Sequence, residues 1–182
     1  MHVVEKRQLL SAAELGRTLK RLAHEIIEKN GDSGDLALIG IRRRGVSLAD
    51  RLAKLLRESA HVDVPVGTLD ITLYRDDLST VGPQPVLHAS HIDFSVDGRD
   101  LVVVDDVLYT GRTVRAAMNA LFDLGRPKRI RLCVLIDRGH REIPVAATFV
   151  GRTVQTSATE IVEVRLQEMD GEERVMLVDR VP

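Results

Sequence analysis

Between Leu101 and Thr113 the chain reads LVVVDDVLYTGRT, an apolar run, two adjacent carboxylates, and a loop carrying Thr110, Gly111 and Thr113. The apolar run predicts a buried strand, and the loop opens a helix at Val114. In open α/β sheets ligands bind beyond the carboxyl ends of strands. A helix N-terminus preceded by glycine and hydroxyl residues offers a phosphate unpaired N–H groups there. Asp105 and Asp106 then stand one step from that phosphate. Carboxylates repel phosphate but accept hydrogen bonds from vicinal ribose hydroxyls. Asp105, Asp106, Val107, Leu108, Tyr109, Thr110, Gly111, Arg112 and Thr113 are thus predicted to form a ribose-5-phosphate cradle. A Gly-x-Gly-x-x-Gly turn and a Gly-Lys-Ser/Thr loop are both absent, which excludes the dinucleotide fingerprint and the P-loop.

Two further stretches could join that site. Arg42, Arg43 and Arg44 lie between Gly40 and Gly45, after the short apolar run Leu36 to Ile41. Three cations there could clamp a pyrophosphate, with the glycines permitting close backbone approach and unusual dihedrals; the same turn also suits a solvated surface. Thr72 to Asp77 combines Tyr74, Arg75 and two acids at the start of an irregular segment running to about Gly98. A loop of that length in a compact domain is usually functional, though its composition also fits a mobile surface. A separate feature is the stripe Arg17, Lys20, Arg21 and His24, spaced i, i+3, i+4 and i+7 along one helix face. It is either a solvated helix side or a basic face for an anionic partner.

The elements that must position these residues alternate along the chain. Ser11 to Glu14 is a capping box, followed by Leu15, Leu19, Leu22, Ala23, Ile26 and Ile27 at helical spacing until Asn30 and Gly31. Strand Leu36 to Ile41 feeds a helix carrying Leu48, Leu52, Leu55 and Leu56. Val64 to Leu73 reads as a strand. The signature strand leads into a helix from Thr113 to Leu124, stopped at Gly125 to Pro127, and strands follow at Arg129 to Arg138 and Ala147 to Val154. Glu160 to Glu168 and Glu173 to Asp179 flank Asp170-Gly171, a hairpin signal. The pattern predicts an α/β fold with a mostly parallel twisted sheet flanked by helices. The hairpin adds antiparallel pairing at one edge.

At 182 residues and 44% hydrophobic content, the chain suits one domain spanning 1–182. A net charge of −1 argues against a wholly basic nucleic-acid module and leaves room for a local basic face. The single cysteine, Cys133, excludes a disulfide framework. No apolar run approaches membrane-spanning length and the N-terminus lacks a signal-peptide core, so a cytoplasmic protein is expected.

The Leu101 to Thr113 stretch closely resembles the phosphoribosyl pyrophosphate (PRPP) signature of type I phosphoribosyltransferases. Asp70 to Leu78 (DITLYRDDL), Val104 to Ala117 (VDDVLYTGRTVRAA) and Asp137 to Pro144 (DRGHREIP) occur in order. Together they resemble the family of bacterial pyrimidine-operon attenuation regulators that double as uracil phosphoribosyltransferases. The resemblance implies a type I phosphoribosyltransferase fold with a small hood and a C-terminal β-hairpin. It implies conversion of uracil and PRPP to UMP and pyrophosphate, with Mg²⁺ held mainly by the substrate and no metal site of the protein's own. Asp105, Asp106 and Arg75 become the catalytic residues, with Arg75 on a lid and Arg42, Arg43 and Arg44 at the leaving group. Ile136, Asp137, Arg138, Gly139 and His140 form a hood over the base. Arg17, Lys20, Arg21, His24, Arg141 and Arg152 are expected to bind the messenger leader of a pyrimidine operon, with UMP or UTP as regulatory ligands. A homodimer or higher oligomer and no membrane partner are expected. The alternatives are a purine (hypoxanthine-type) phosphoribosyltransferase, since the cradle is blind to the base, and a non-catalytic nucleotide-sensing RNA-binding regulator.

Overall fold

The computed structural model describes residues 2–31, 34–76 and 89–181. Five strands, β2 (Leu36–Ile41), β3 (Val66–Leu69), β4 (Asp100–Leu108), β5 (Arg129–Asp137) and β6 (Phe149–Thr153), form a wholly parallel sheet in the order β3-β2-β4-β5-β6. Its central strands read as unbroken apolar runs because both faces are covered. On β4, Val102 and Val104 face the cluster containing Leu15, Leu22, Leu48 and Leu52, from helices α1 (Ala12–Asn30) and α2 (Arg44–Ala60). Leu101 and Val103 face Ala117 and Leu121 of helix α3 (Arg112–Leu124). The capping box forms as expected: the Glu14 N–H donates to the Ser11 side chain, while the Glu14 carboxylate accepts from the Ser11 N–H at 2.8 Å.

The last residues of the chain depart from the sequence-based topology. The predicted hairpin exists, as β7 (Glu160–Arg165) and β8 (Arg174–Val181), but it does not edge the parallel sheet. It joins β1 (His2–Ser11) in a separate antiparallel sheet, β1-β8-β7, which is the hood. The connection is a helical turn, α4 (Gln167–Asp170), closed by left-handed Gly171. Glu160 to Glu168 therefore overran the strand, and so did Val64 to Leu73. The latter stops at Leu69, and the Asp70 side chain then accepts from the Thr72 N–H at 2.8 Å and starts a 3₁₀ turn, Thr72–Tyr74.

Two glycines seat α2 on the sheet. A Cβ on Gly45 would stand 2.3 Å from the Val104 carbonyl oxygen, and one on Gly40 would stand 2.5 Å from Val46 Cα. Neither residue has a positive φ, so their role is close approach of helix to strand and not an unusual dihedral. The hood is tied to α2 by Arg51, which forks to Glu168 (2.7 Å from both Nε and Nη2) and to Glu173 (2.6 and 2.9 Å).

Candidate active site

At the carboxyl ends of β2 and β4 lies a cleft of about 400 Å³, lined by Arg42, Arg43, Arg75, Asp105, Asp106, Val107 and Thr113. Three stretches distant in sequence thus meet there. Asp105 is 8% exposed, and burial, followed by the adjacent Asp106, pushes its carboxyl well above the usual carboxylate range. Its Oδ1 accepts the Asp106 N–H at 2.9 Å, and Asp106 Oδ1 in turn accepts the Val107 N–H at 2.9 Å. Both carboxylates are thereby fixed in direction.

Gly111 precedes α3 at φ 93°, and a Cβ there would stand 2.6 Å from Val145 Cγ2. The loop is further fixed by the Thr110 carbonyl, which accepts the N–H groups of Glu142 (2.9 Å) and Ile143 (3.1 Å). A second cavity of about 490 Å³ opens beside this loop, lined by Ile71, Arg75, Asp76, Thr110, Arg112 and Thr113. The stem of the expected lid is pinned to α3: Tyr74 Oη donates to Asp123 at 2.6 Å, and Arg115 donates to the Tyr74 carbonyl at 3.1 Å. Asp77 and the rest of the expected lid, to residue 88, lie outside the described residues.

Not every expected side chain points into the cleft. Arg44 turns away to Asp170 at 2.9 Å, and Leu108 is buried in the core beside α3. Tyr109 leaves the cleft as well. Its ring lies under Arg138, 4.0 Å from the guanidinium carbon, and edge-on to His140, with ring centroids 5.7 Å apart.

A cavity of about 500 Å³ lies between residues 137–141 and 153–156. Arg138 is 5% exposed and donates to Thr156 Oγ1 (3.1 Å) and to the carbonyls of Ser157 (3.2 Å) and Glu160 (2.6 Å); burial lowers its pKa. Gly139 and His140 both adopt positive φ, and the Gly139 N–H donates to Asp137 Oδ1 at 3.0 Å. Ile136 is fully buried in the core and lines no part of this cavity.

The basic stripe holds its place on α1: Arg17, Lys20, Arg21 and His24 are all exposed, opposite the buried Leu15, Leu19, Leu22 and Ile26. Arg21 also donates to the carbonyls of Val150 (3.2 Å) and Gly151 (2.5 Å), which brings Arg152 alongside. Arg152 is exposed but donates to the Leu9 carbonyl. Arg141 is half-buried and bonded to Asp137 (2.5 Å) and to the carbonyls of Tyr109 (2.9 Å), Val145 (3.1 Å) and Gly139 (3.3 Å). Asp76 and Glu142 are additions that sequence reasoning did not single out. Both lie in the quoted motifs, yet nothing in their spacing pairs them with Arg112, which bonds to each.

Residues 6–169 match the phosphoribosyl transferase domain family. Bifunctional protein PyrR of Pelotomaculum thermopropionicum is 59% identical over 175 residues, covering 96% of this chain and 97% of the relative. Bifunctional protein PyrR of Thermus thermophilus is 54% identical with the same coverage. The hypoxanthine phosphoribosyltransferase of Trypanosoma cruzi superposes with a TM-score of 0.72 at 19% identity, over 98% of each chain, a likeness of fold alone. The chain belongs to the phosphoribosyltransferase family, and within it to the group of the bifunctional PyrR proteins.

Proposed function

We propose that the chain transfers the phosphoribosyl group of PRPP to uracil, giving UMP and pyrophosphate, and that it also binds the messenger leader of pyrimidine genes. The observation that carries the transferase activity is the meeting of Asp105 and Asp106 with Arg42, Arg43, Arg75 and Thr113 around one cleft. The carboxylates accept the ribose hydroxyls. Residues Thr110 to Thr113 take the 5′-phosphate, and Arg42, Arg43 and Arg75 face the leaving pyrophosphate. As the bond from C1 to pyrophosphate breaks, positive charge grows on the ribose and negative charge on the leaving group. Fixed carboxylates and arginines on the matching sides stabilise both without reorganising. Arg44, Leu108 and Tyr109 contribute backbone, and the hood cavity at residues 137–140 takes the base.

A pair of adjacent carboxylates, one of them buried, is a poor resting place for two negative charges and suits a cation-bearing substrate. Among the described residues no three His, Cys, Asp or Glu side chains are grouped to hold a metal ion. When bound with PRPP, and held mainly by that substrate, Mg²⁺ would supply charge neutralisation to the leaving group. A homodimer completes the proposal. Among the described residues no helix is long and apolar enough to cross a membrane.

The test is turnover with Mg²⁺ and PRPP, comparing uracil with hypoxanthine, beside sedimentation and a titration with leader RNA. Conversion of uracil and not hypoxanthine is expected. Hypoxanthine turnover would favour the purine enzyme, and RNA binding without any turnover would leave a nucleotide-sensing regulator.

A further inference from the structure

The guanidinium of Arg112 is held by two carboxylates from separate segments. Nη1 donates to Asp76 at 2.6 Å and Nε donates to Glu142 at 2.7 Å. Asp76 belongs to the lid stem, where Arg115 adds an ion pair at 3.5 Å. Glu142 belongs to the loop between β5 and β6, whose N–H groups fasten the Thr110 carbonyl. Arg112 holds the Asp76 carboxyl below its usual range, and Glu142, then Asp76, raises the Arg112 pKa. Yet Arg112 opens α3 and lines the cavity beside Thr110 and Thr113, so its cation stands at the edge of the phosphate seat.

We propose that Asp76 and Glu142 are positioning residues that restrain the Arg112 side chain, so that the loop holds the 5′-phosphate through N–H groups and hydroxyls alone and releases its product. This rests on the assignment of Thr110 to Thr113 as the phosphate seat. An arginine released onto a phosphate adds charge-assisted hydrogen bonds, stronger than those of neutral donors. Such a bond grips substrate, transition state and product alike, because the 5′-phosphate does not change in the reaction. Uniform binding of that kind does not raise kcat, and it slows an enzyme limited by product release. The two restraining pairs are exposed and individually weak, so the restraint is adjustable and not a structural lock. The two carboxylates come from segments far apart in sequence, and together they engage both Nε and Nη1 of Arg112.

The experiment is UMP titration by calorimetry, with steady-state kinetics, on Glu142→Gln, on Asp76→Asn combined with Glu142→Gln, and on each again in an Arg112→Gln background. The double variant is expected to bind UMP roughly three- to tenfold more tightly, with a lower kcat. In the Arg112→Gln background the same changes should leave UMP affinity unmoved. Weaker or unchanged binding in the double variant overturns the proposal. So does tightening that persists without Arg112, since loss of two negative charges would then be the whole cause. Thr113→Val separates the two levels. If it weakens UMP binding while the carboxylate variants do nothing, the seat stands and the restraint falls. If UMP ignores Thr113→Val, the seat and the restraint fall together.

Discussion

Arg138 lies over the face of Tyr109, its guanidinium carbon 4.0 Å from the ring centroid. Tyr109 immediately follows β4 and Arg138 immediately follows β5, so this contact joins the carboxyl ends of those two strands. The same guanidinium reaches Thr156, Ser157 and Glu160, the segment leading into β7. One cation thus fixes the end of β5 relative to the end of β4 and to the segment entering β7.

Replacing Arg138 by Met keeps the length of the stem and removes every one of those bonds. The carbonyls of Ser157 and Glu160 lose a donor, a loss of about 1–3 kcal/mol in denaturant or thermal unfolding. The Michaelis constant for uracil should rise more than that for PRPP, because the phosphate loop is built on other contacts. Arg138→Lys should recover only part of the effect, since an ammonium lacks the planar fork that serves three acceptors. Equal changes for both substrates would assign Arg138 to general stability.

Asp105→Asn should separate stability from catalysis. Burial and the neighbouring Asp106 raise the Asp105 pKa, so its ionised form is disfavoured in the folded chain, a cost that sets in above the ordinary carboxylate pKa and is fully present above the raised one. Neutral asparagine removes that cost. At neutral pH the ligand-free variant should melt higher, by about 2–4 °C for each kcal/mol relieved, and the advantage should shrink on acidification as the wild-type carboxyl takes up its proton. Turnover should fall by at least about 100-fold, because the amide cannot balance a developing cation. A lower melting temperature at neutral pH would show that the buried carboxylate is stabilised by its surroundings.

Strand β4, its loop and α3 were legible because their signals are local: an apolar strand, two acids, a glycine and hydroxyls in consecutive positions. The capping box of α1 was legible for the same reason. β1 was not, since its exposed Val3 and Val4 alternate with nothing and run into Glu5, Lys6, Arg7 and Gln8, and its strand character comes from pairing with β8 at the far end of the chain. Side-chain direction was equally hidden. Three consecutive arginines gave no sign that Arg44 would turn to Asp170, or that Arg141 would be bonded to Asp137 and three carbonyls. Long-range partners decide these cases.

Gly45 and Gly16 should respond in opposite directions to alanine. A Cβ on Gly45 meets the Val104 carbonyl oxygen at 2.3 Å, a backbone atom that cannot step aside. Gly45→Ala should push the start of α2 away from β4, lower stability by about 1–3 kcal/mol or more, and lower kcat/KM for PRPP by displacing Arg42 and Arg43. Gly16 sits within α1 with nothing within 4 Å of an added Cβ, so Gly16→Ala should stabilise the helix by about 0.5–1 kcal/mol. Thermal unfolding of both variants, with kinetics on the first, tests whether the glycine serves helix seating.

The exposed face of α1 separates a nucleic-acid surface from ordinary solvated charge through its salt dependence. Arg17, Lys20 and His24 stand on that face beside Arg21 and Arg152, while Arg141 is committed to Asp137 and the carbonyls around it at the end of β5. Cations that neutralise RNA phosphates release counterions, so removing one such cation should flatten the slope of log affinity against log salt by about 0.7–0.9. Arg17→Ala and Lys20→Ala should each do so with uracil turnover intact, since neither residue lines the cleft. Arg141→Ala should instead disturb uracil binding and leave the slope alone. If UMP in the cradle favours the RNA-binding arrangement, leader RNA must tighten UMP by the same factor that UMP tightens RNA. A slope indifferent to Arg17 and Lys20 would return α1 to the solvent, and unequal factors would mean that a third species, such as a change in subunit assembly, had entered the equilibrium.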